Sequence, residues 1–181
     1  MNLREFNVAD SALALLEGEI DVAVTVNHPS FTQVEGRESI RLRTLSLDCY
    51  QVYVSSALAL KVGGEPSPEA LRQLSWVLPL RGSFMRGVLD DWFFGHGVAP
   101  PESVVEVSPL TASIELLRTM PSAALLPATL SNDHDYPHLV RVAGQAMSLP
   151  IRLVVACRES QANRAAVASF VQCVVDSCSS P

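Results

Sequence analysis

The chain has 181 residues, of which 48% are hydrophobic and 18% charged, so it carries enough apolar material for one sizeable core or two smaller ones. Its net charge is −6, and its cations, twelve arginines and the single lysine Lys61, form no basic run, which argues against binding of a phosphate backbone by this chain alone. The N-terminus lacks a secretory signal, and no stretch approaches the ~20 apolar residues of a membrane span. These features predict a soluble, cytoplasmic protein.

The cysteines argue against a disulfide scaffold and against a zinc ribbon. They are irregularly spaced and form no Cys-x-x-Cys pair. We expect reduced, mostly buried thiols. The four positions are Cys49, Cys157, Cys173 and Cys178.

The first third of the chain predicts several strands and one helix. Asp10 has a suitable side chain for the N-cap of the helix, and Gly18 can end it, since glycine readily adopts the left-handed conformation found at helix C-termini. Short apolar or alternating runs predict the strands. These strands run from Asn2 to Phe6, from Ile20 to Val24, from Ile40 to Leu47 and from Gln51 to Ser55.

The middle of the chain predicts two helices that each begin at a serine. Ser67 with Pro68 can open a short helix to Leu74. After a strand at residues 76–80, Ser83 can cap a longer helix, which ends at Gly95 or Gly97. The apolar face of this longer helix is predicted to consist of Phe84, Val88, Leu89, Trp92 and Phe93.

The last part of the chain continues the alternation of strands and helices. Residues 103–107 predict a strand, after which Ser108 can cap a helix that has Pro109 in its first position. Pro127 ends the strand predicted at residues 123–126. Further strands are predicted at residues 139–142 and 151–156, before a C-terminal amphipathic helix. The alternation predicts an α/β fold with a mostly parallel sheet and helices on both faces.

Two sequence patterns in the first third of the chain resemble those of LysR-type transcriptional regulators. From Leu15 the chain reads LLEGEIDVAV, which is similar to the L-x-G-E-L-D-x-A-I stretch of their effector-binding domains. The run from Leu47 to Ala59 looks like their second crossover strand, although Ala57 and Leu58 replace the usual His-Pro.

Three later patterns follow in the order of the same family. From Trp76 the chain reads WVLP, and the Gly82, Ser83 and Arg86 that follow match the strand, turn and helix that line the family's ligand cleft. The AALLP that begins at Ala123 resembles the family's I-A-L-L-P. The final LPIRLV, with the last helix, completes the order. Each pattern is weak alone, and the identification depends on their order and spacing over nearly the whole chain.

The resemblance implies a type 2 periplasmic-binding-protein-like α/β fold, with two Rossmann-like lobes joined by two crossover strands. Lobe I would hold residues 1–48 and 150–181, and lobe II residues 49–149. The match begins at the second strand of lobe I, so the first strand and helix of that lobe have no counterpart, nor has the family's N-terminal helix-turn-helix DNA-binding domain. We therefore expect the chain to be a fragment rather than a complete regulator.

The best candidate site is the start of the helix that Ser83 caps. A helix N-terminus offers unpaired N–H donors and a positive dipole end, which together attract anions. Arg81 and Arg86 can add charge-assisted hydrogen bonds. The alternative is a plain helix cap with two surface arginines.

Four further residues are weaker candidates for effector contact. Thr25 follows a predicted strand and resembles a polar residue that faces the cleft in this family. Carboxyl ends of parallel strands are where open α/β sheets place ligands. Ser108 and Thr111 begin the second helix of lobe II, and Pro127 ends a strand. Solvated strand ends and simple caps are the alternatives.

The sequence carries no evident catalytic set, metal site or cofactor site. Asp133, His134, Asp135 and His138 lie in a predicted loop, where nothing preorganises them as metal ligands. Neither a Gly-x-Ser-x-Gly elbow nor a phosphate-binding glycine motif is present. We expect no catalytic residue, no metal and no cofactor, and therefore no enzyme.

The resemblance implies a sensor of a small anionic metabolite in the cleft between the lobes, which signals to a DNA-binding domain. It also implies a homodimer formed through the helix from Phe84 to Phe94 and the strand from Asn2 to Phe6, weakened by the missing helix. DNA would be bound only through the missing domain, and membranes not at all. The alternatives are a solute-binding protein of the same fold that serves transport, an enzyme on this scaffold, and a fragment without a function of its own.

Overall fold

A computed structural model describes residues 2–31, 39–63, 65–132, 136–142 and 147–179. The backbone divides into two compact units, the first formed by Met1–Asp48 with Ile151–Pro181 and the second by Cys49–Pro150. The helices are α1 (Val8–Glu17), α2 (Ser56–Val62), α3 (Pro68–Arg72), α4 (Phe84–Gly95), α5 (Leu110–Thr119) and α6 (Ala165–Ser179). The strands are β1 (Val22–Val26), β2 (Ile40–Ser55), β3 (Trp76–Leu78), β4 (Val104–Glu106), β5 (Ala123–Pro127), β6 (Leu139–Arg141) and β7 (Ser148–Arg158). Over the described ranges, no helix has the length and hydropathy that crossing a membrane requires.

The first unit is built on the antiparallel pairing of β1 with β7, in which Val22 pairs with Cys157 and Val26 with Leu153. Its main cluster of buried residues joins α1 to this pair and to the short turn at Phe31. A second cluster joins β7 to α6. The buried members of the two clusters are Ala12, Leu15, Ala23, Phe31, Ala156, Cys157, Ala162 and Val167.

The predicted strand from Asn2 to Phe6 is wrong, since this segment has no regular secondary structure. None of the described strands pairs with it, and an isolated extended segment gains no ladder hydrogen bonds in water. Asn7, not Asp10, is the N-cap of α1, because its side-chain oxygen accepts from the Asp10 N–H at 2.9 Å. Gly18 ends the helix as predicted, with φ of 82°.

The two predicted strands between Ile40 and Ser55 are one strand, β2, which passes from the first unit into the second. In the second unit β2 pairs antiparallel with β5, from Tyr50 opposite Pro127 to Val54 opposite Ala123. The prediction split the strand because Asp48 and Cys49 interrupt its alternation.

The sheet is mixed rather than mostly parallel. Among the described pairings, β3 runs parallel to β4 and β5, whereas β2 runs antiparallel to β5 and β6 and β1 runs antiparallel to β7. The long strands β2 and β7 account for the antiparallel pairs, because each carries the chain from one unit to the other. A local strand–helix alternation cannot reveal their direction.

The core of the second unit lies between its sheet and α5, and α4 packs beside it. Trp76 is fully buried, and its indole N–H donates to the carbonyl oxygen of Leu71 at 2.9 Å. Phe93 of α4 packs edge-on against Trp76, with 6.2 Å between the ring centroids. The buried cluster around α5 consists of Tyr53, Val77, Ile114, Leu117, Ala124 and Leu126.

The predicted ends and faces of α4 and α5 need two corrections. The buried face of α4 consists of Met85, Arg86, Leu89 and Phe93, so Leu89 and Phe93 were placed correctly. The other three predicted members, Phe84, Val88 and Trp92, are only half-buried. α5 begins one residue later than predicted, with Pro109 at its cap position and no side-chain cap hydrogen bond, so Ser108 does not cap it.

Candidate functional site

Six of the seven predicted site residues lie on segments that follow or end the parallel strands of the second unit. β3 and β4 end side by side, with Leu78 opposite Glu106. Ligands of open α/β sheets bind at the carboxyl ends of parallel strands. The six residues are Arg81, Ser83 and Arg86 after β3, Ser108 and Thr111 after β4, and Pro127 at the end of β5. We call this region the carboxyl edge of the second unit.

Ser83 is the N-cap of α4, as the sequence predicts. Its hydroxyl oxygen accepts a hydrogen bond from the Arg86 backbone N–H at 3.4 Å. Gly82, with φ of 83°, supplies the left-handed turn that leads into the helix. A serine hydroxyl that accepts one bond keeps a proton to donate, so the cap leaves Ser83 able to donate to a ligand.

Arg86 is not the surface residue that a plain cap would have beside it. Its side chain is 4% exposed, and its Nε donates to Asp90 Oδ1 at 3.1 Å. Asp90 is therefore a partner of a buried cation. A buried guanidinium needs such counter-charges, because desolvation of an unpaired charge costs several kcal/mol.

Glu106, at the end of β4, lies near both arginines of the predicted site. Its Oε1 is 3.3 Å from Arg81 Nε and 3.5 Å from Arg86 Nη1. Arg81 is 77% exposed, so only one of the two cations is free to reorient in solvent. Glu106 was not predicted as a site residue. The signal that could have found it is its place near the end of the strand predicted at residues 103–107, which is the next predicted strand after the one before Arg81.

The four charged groups of this cluster balance one another. Arg81 and Arg86 contribute +2 and Asp90 and Glu106 contribute −2, which sums to zero. Ser108 and Thr111, which are exposed, complete the edge with hydroxyl groups. An anion that contacts the buried Arg86 must therefore take the place of a carboxylate, whereas the exposed Arg81 also presents donors to solvent.

Thr25 belongs to the first unit and lies within β1, opposite Val154, rather than after the end of a strand. Because the pairing of β1 with β7 is antiparallel, the argument from parallel strand ends does not extend to Thr25. It lines a cavity of about 650 Å³ in the first unit, between the N-terminal segment, β1 and α6. The apolar side chains of this cavity include Phe6, Ile20, Val22, Val167 and Phe170.

The loop considered for a metal site lies largely outside the described residues, which include His138 but not Asp133, His134 or Asp135. The Nε2 atom of His138 is 3.2 Å from the carbonyl oxygen of Ile114. In the part of the chain that the structure describes, no three or more His, Cys, Asp or Glu side chains are grouped so as to hold a metal ion.

A family model for the LysR substrate binding domain matches residues 1–179. Full-length CbnR in complex with its target DNA is 21% identical, with a TM-score of 0.68, and the match covers 99% of this chain and 60% of that one. The chain thus spans about 60% of the length of full-length CbnR. No curated protein matches the chain.

Two regulatory domains match this chain in structure over most of the length of each of the two chains compared. The CcmR regulatory domain of Synechocystis PCC6803, in complex with 2-PG, is 15% identical with a TM-score of 0.78, and the match covers 98% of this chain and 83% of that one. A sulfate-bound variant of the OxyR2 regulatory domain from Vibrio vulnificus is 16% identical with a TM-score of 0.68, over 97% and 80%. At these identities the likeness shows a shared fold.

Proposed function

Since this chain belongs to the family of LysR substrate-binding domains, we propose that it is the effector-binding part of a transcriptional regulator and that it senses a small anionic metabolite. Its two compact units would be the two lobes of the sensor. Binding performs no chemical step. It biases the equilibrium between two arrangements of the protein, which changes how a DNA-binding domain in the same polypeptide holds its operator.

The arrangement at the carboxyl edge of the second unit carries the proposal. Ser83 opens a helix of 12 residues, whose N-terminus has positive dipole character, and the exposed Arg81 lies on the turn before it. This combination suits a carboxylate, sulfate or phosphate group. The sulfate bound to the OxyR2 regulatory domain and the 2-PG bound to CcmR support an anionic effector by analogy.

The other predicted contacts remain proposals of lower weight. Ser108 and Thr111 are exposed and able to donate to a ligand at the same edge. Pro127 offers only its carbonyl oxygen and its ring. Thr25, in the first unit, is proposed to contact the effector on the strength of the family resemblance alone.

We also propose that the regulator works in the cytoplasm as a homodimer, in which α4 contributes to the interface. Phe94 of α4 is 63% exposed, so it offers an apolar contact that the second unit does not use. The segment from Asn2 to Phe6 cannot contribute the strand that the sequence suggested, because it is not a strand.

A thermal-shift screen against organic acids, sugar acids and phosphorylated metabolites, followed by calorimetry of each hit, tests the proposal. A ligand that binds the native state raises the melting temperature, and the stabilisation grows with the logarithm of the ligand concentration once this exceeds Kd. We expect at least one anion to bind the chain and Ser83→Ala to weaken its binding by about tenfold, the value of one lost hydrogen bond to a charged group.

Ser67→Ala is the matched control. Ser67 caps α3 in the same unit, and its hydroxyl accepts from the Ala70 N–H at 3.3 Å, close to the 3.4 Å of the Ser83 cap. Both substitutions remove one serine cap and should cost about 1 kcal/mol of stability. An effector whose affinity falls equally in both variants would contradict the proposed site, and a screen without any anionic hit would contradict the proposed sensor.

A further inference from the structure

We propose that Glu106 is a built-in competitor of the effector, and that an anion binds between Arg81 and Arg86 by displacing the Glu106 carboxylate. The inference deepens the proposed function and rests on it. Glu106 would then determine specificity, since it sets how strongly an anion must bind to replace it.

The contacts that Glu106 makes with the two arginines are long. Its Oε1 lies 3.3 Å from Arg81 Nε and 3.5 Å from Arg86 Nη1, and the latter atom has no hydrogen-bond partner although it is buried. N–H···O bonds to a carboxylate are normally 2.7–2.9 Å long. Within the same unit, the Arg72–Glu102 and Arg118–Glu115 pairs reach 2.6 and 2.8 Å. Glu106 thus neutralises Arg86 without satisfying its donor.

The net charge of the cluster also favours the replacement of Glu106 by an anion. With Glu106 in place the cluster of two arginines and two carboxylates is neutral, and without it the cluster carries +1. An anion that takes its place restores neutrality and can supply better hydrogen-bond geometry to the buried guanidinium. Arg86 cannot follow Glu106 into solvent, since its side chain is 4% exposed and is held by Asp90.

Glu106 can leave its position at a low cost in free energy. Its side chain is 34% exposed, and both of its contacts are longer than ordinary charge-assisted bonds. The pair with the 77%-exposed Arg81 contributes little to stability, because solvent screens it, and Asp90 still accompanies the buried Arg86 when Glu106 moves away. Rotation of the carboxylate into water therefore exposes the two arginines without disturbing the core.

Glu106→Gln tests the inference, with inorganic sulfate as the probe and isothermal calorimetry of the 181-residue chain as the measurement. We expect sulfate to bind the variant about tenfold more tightly than the wild-type chain, since one competing charge is removed. Glu106→Gln in an Arg81→Gln background should lose this gain. Glu106→Asp keeps the charge but moves it away from the arginines, so its gain in sulfate affinity should be smaller. It also provides a second variant if Glu106→Gln fails to fold.

Glu102→Gln is the matched control, because Glu102 precedes the same strand that Glu106 ends and pairs with Arg72 instead. It removes one negative charge from the unit without touching Arg81 or Arg86. Equal gains in both variants, no gain in Glu106→Gln, or no sulfate binding by any variant would overturn the inference. If Glu106→Gln binds sulfate more tightly but no metabolite binds in the screen, only the proposed sensor is contradicted. If a metabolite binds, and its affinity falls in Ser83→Ala but does not change in Glu106→Gln, only this inference is contradicted.

Discussion

The guanidinium of Arg158 donates a hydrogen bond from Nη1 to the main-chain oxygen of Leu15, although 143 residues separate them. The same nitrogen is 3.3 Å from the main-chain oxygen of Ile20. Arg158 ends β7, and Leu15 lies in the last turn of α1, where its oxygen also accepts from the N–H of the C-cap residue Gly18 at 3.2 Å. The side chain therefore caps α1 from the other end of the chain and closes the first unit.

Replacement of Arg158 by Met should destabilise the first unit by about 1–3 kcal/mol, because it removes a buried charged donor from the main-chain oxygens of Leu15 and Ile20. Urea unfolding followed by circular dichroism measures the loss. Arg164→Gln is the control, since Arg164 is 61% exposed and pairs with Asp21, which Arg158 also approaches, but makes no bond to α1 among those described. Equal effects of the two substitutions would show that the charge near Asp21, not the cap, stabilises the unit.

Substitutions of two neighbouring aromatic residues on α4 should have different effects, one on the stability of the fold and the other on self-association. Phe93 is fully buried against Trp76, so Phe93→Ala should cost about 3–5 kcal/mol of stability, the usual loss for a deleted core aromatic. Phe94 is 63% exposed, so Phe94→Ala should leave the melting temperature within about two degrees but weaken the proposed dimer. Analytical ultracentrifugation over a concentration series measures the dimer. An unchanged dimer in Phe94→Ala would remove this residue from the interface.

Local chemistry made several helix and strand ends in both units predictable. Ser83 as the cap of α4, Gly18 as the end of α1 and Pro127 at the end of β5 each follow from the conformational preference of one residue. The order of short patterns then indicated the family, which a model match over residues 1–179 shows. Such signals concern neighbours in sequence and need no knowledge of the tertiary structure.

Long-range pairing decided what the sequence did not reveal. The sequence did not show that Arg86 is buried, because the positions of residues around a helix do not reveal that Asp90 and Glu106 lie beside it as counter-charges. The antiparallel pairing of β1 with β7 joins segments more than 120 residues apart. The segment from Asn2 to Phe6 has the composition of a strand, but a strand forms only where a partner offers its backbone.

Cys157 should resist thiol reagents in the native protein. Its side chain is buried, and burial raises its pKa, so the reactive thiolate is scarce at neutral pH. The expectation of mostly buried thiols is wrong, since Cys173 and Cys178 are exposed on α6, and these two should react first. Mass spectrometry after brief treatment with iodoacetamide distinguishes the sites, and the same treatment in urea is the control in which Cys157 becomes reactive. Equal labelling of Cys157 and Cys173 in buffer would show that β7 opens readily.

The ion pair between Arg41 and Glu159 should make the stability of the first unit depend on acid pH. Arg41 Nε donates to Glu159 Oε2 at 2.9 Å, and this hydrogen bond lowers the pKa of Glu159. A carboxyl whose pKa is lower in the folded state stabilises the fold above its ordinary pKa of about 4.3, and this contribution is lost as pH falls through the folded value.

Arg41→Gln should therefore lower stability slightly at pH 7 and have no effect well below the folded pKa of Glu159. The effect is small because both side chains are 47% exposed, so solvent screens the pair. Urea unfolding at pH 7 and at a pH where Glu159 is protonated measures the two differences, and a carbon NMR titration, which locates that pH, should show the pKa of Glu159 rising toward its ordinary value in the variant. Arg43→Gln, which removes the nearby bond to Gln172 but no ion pair with Glu159, is the control. A difference between wild type and Arg41→Gln that persists where Glu159 is protonated would mean that Arg41 acts through packing rather than through the charge of Glu159.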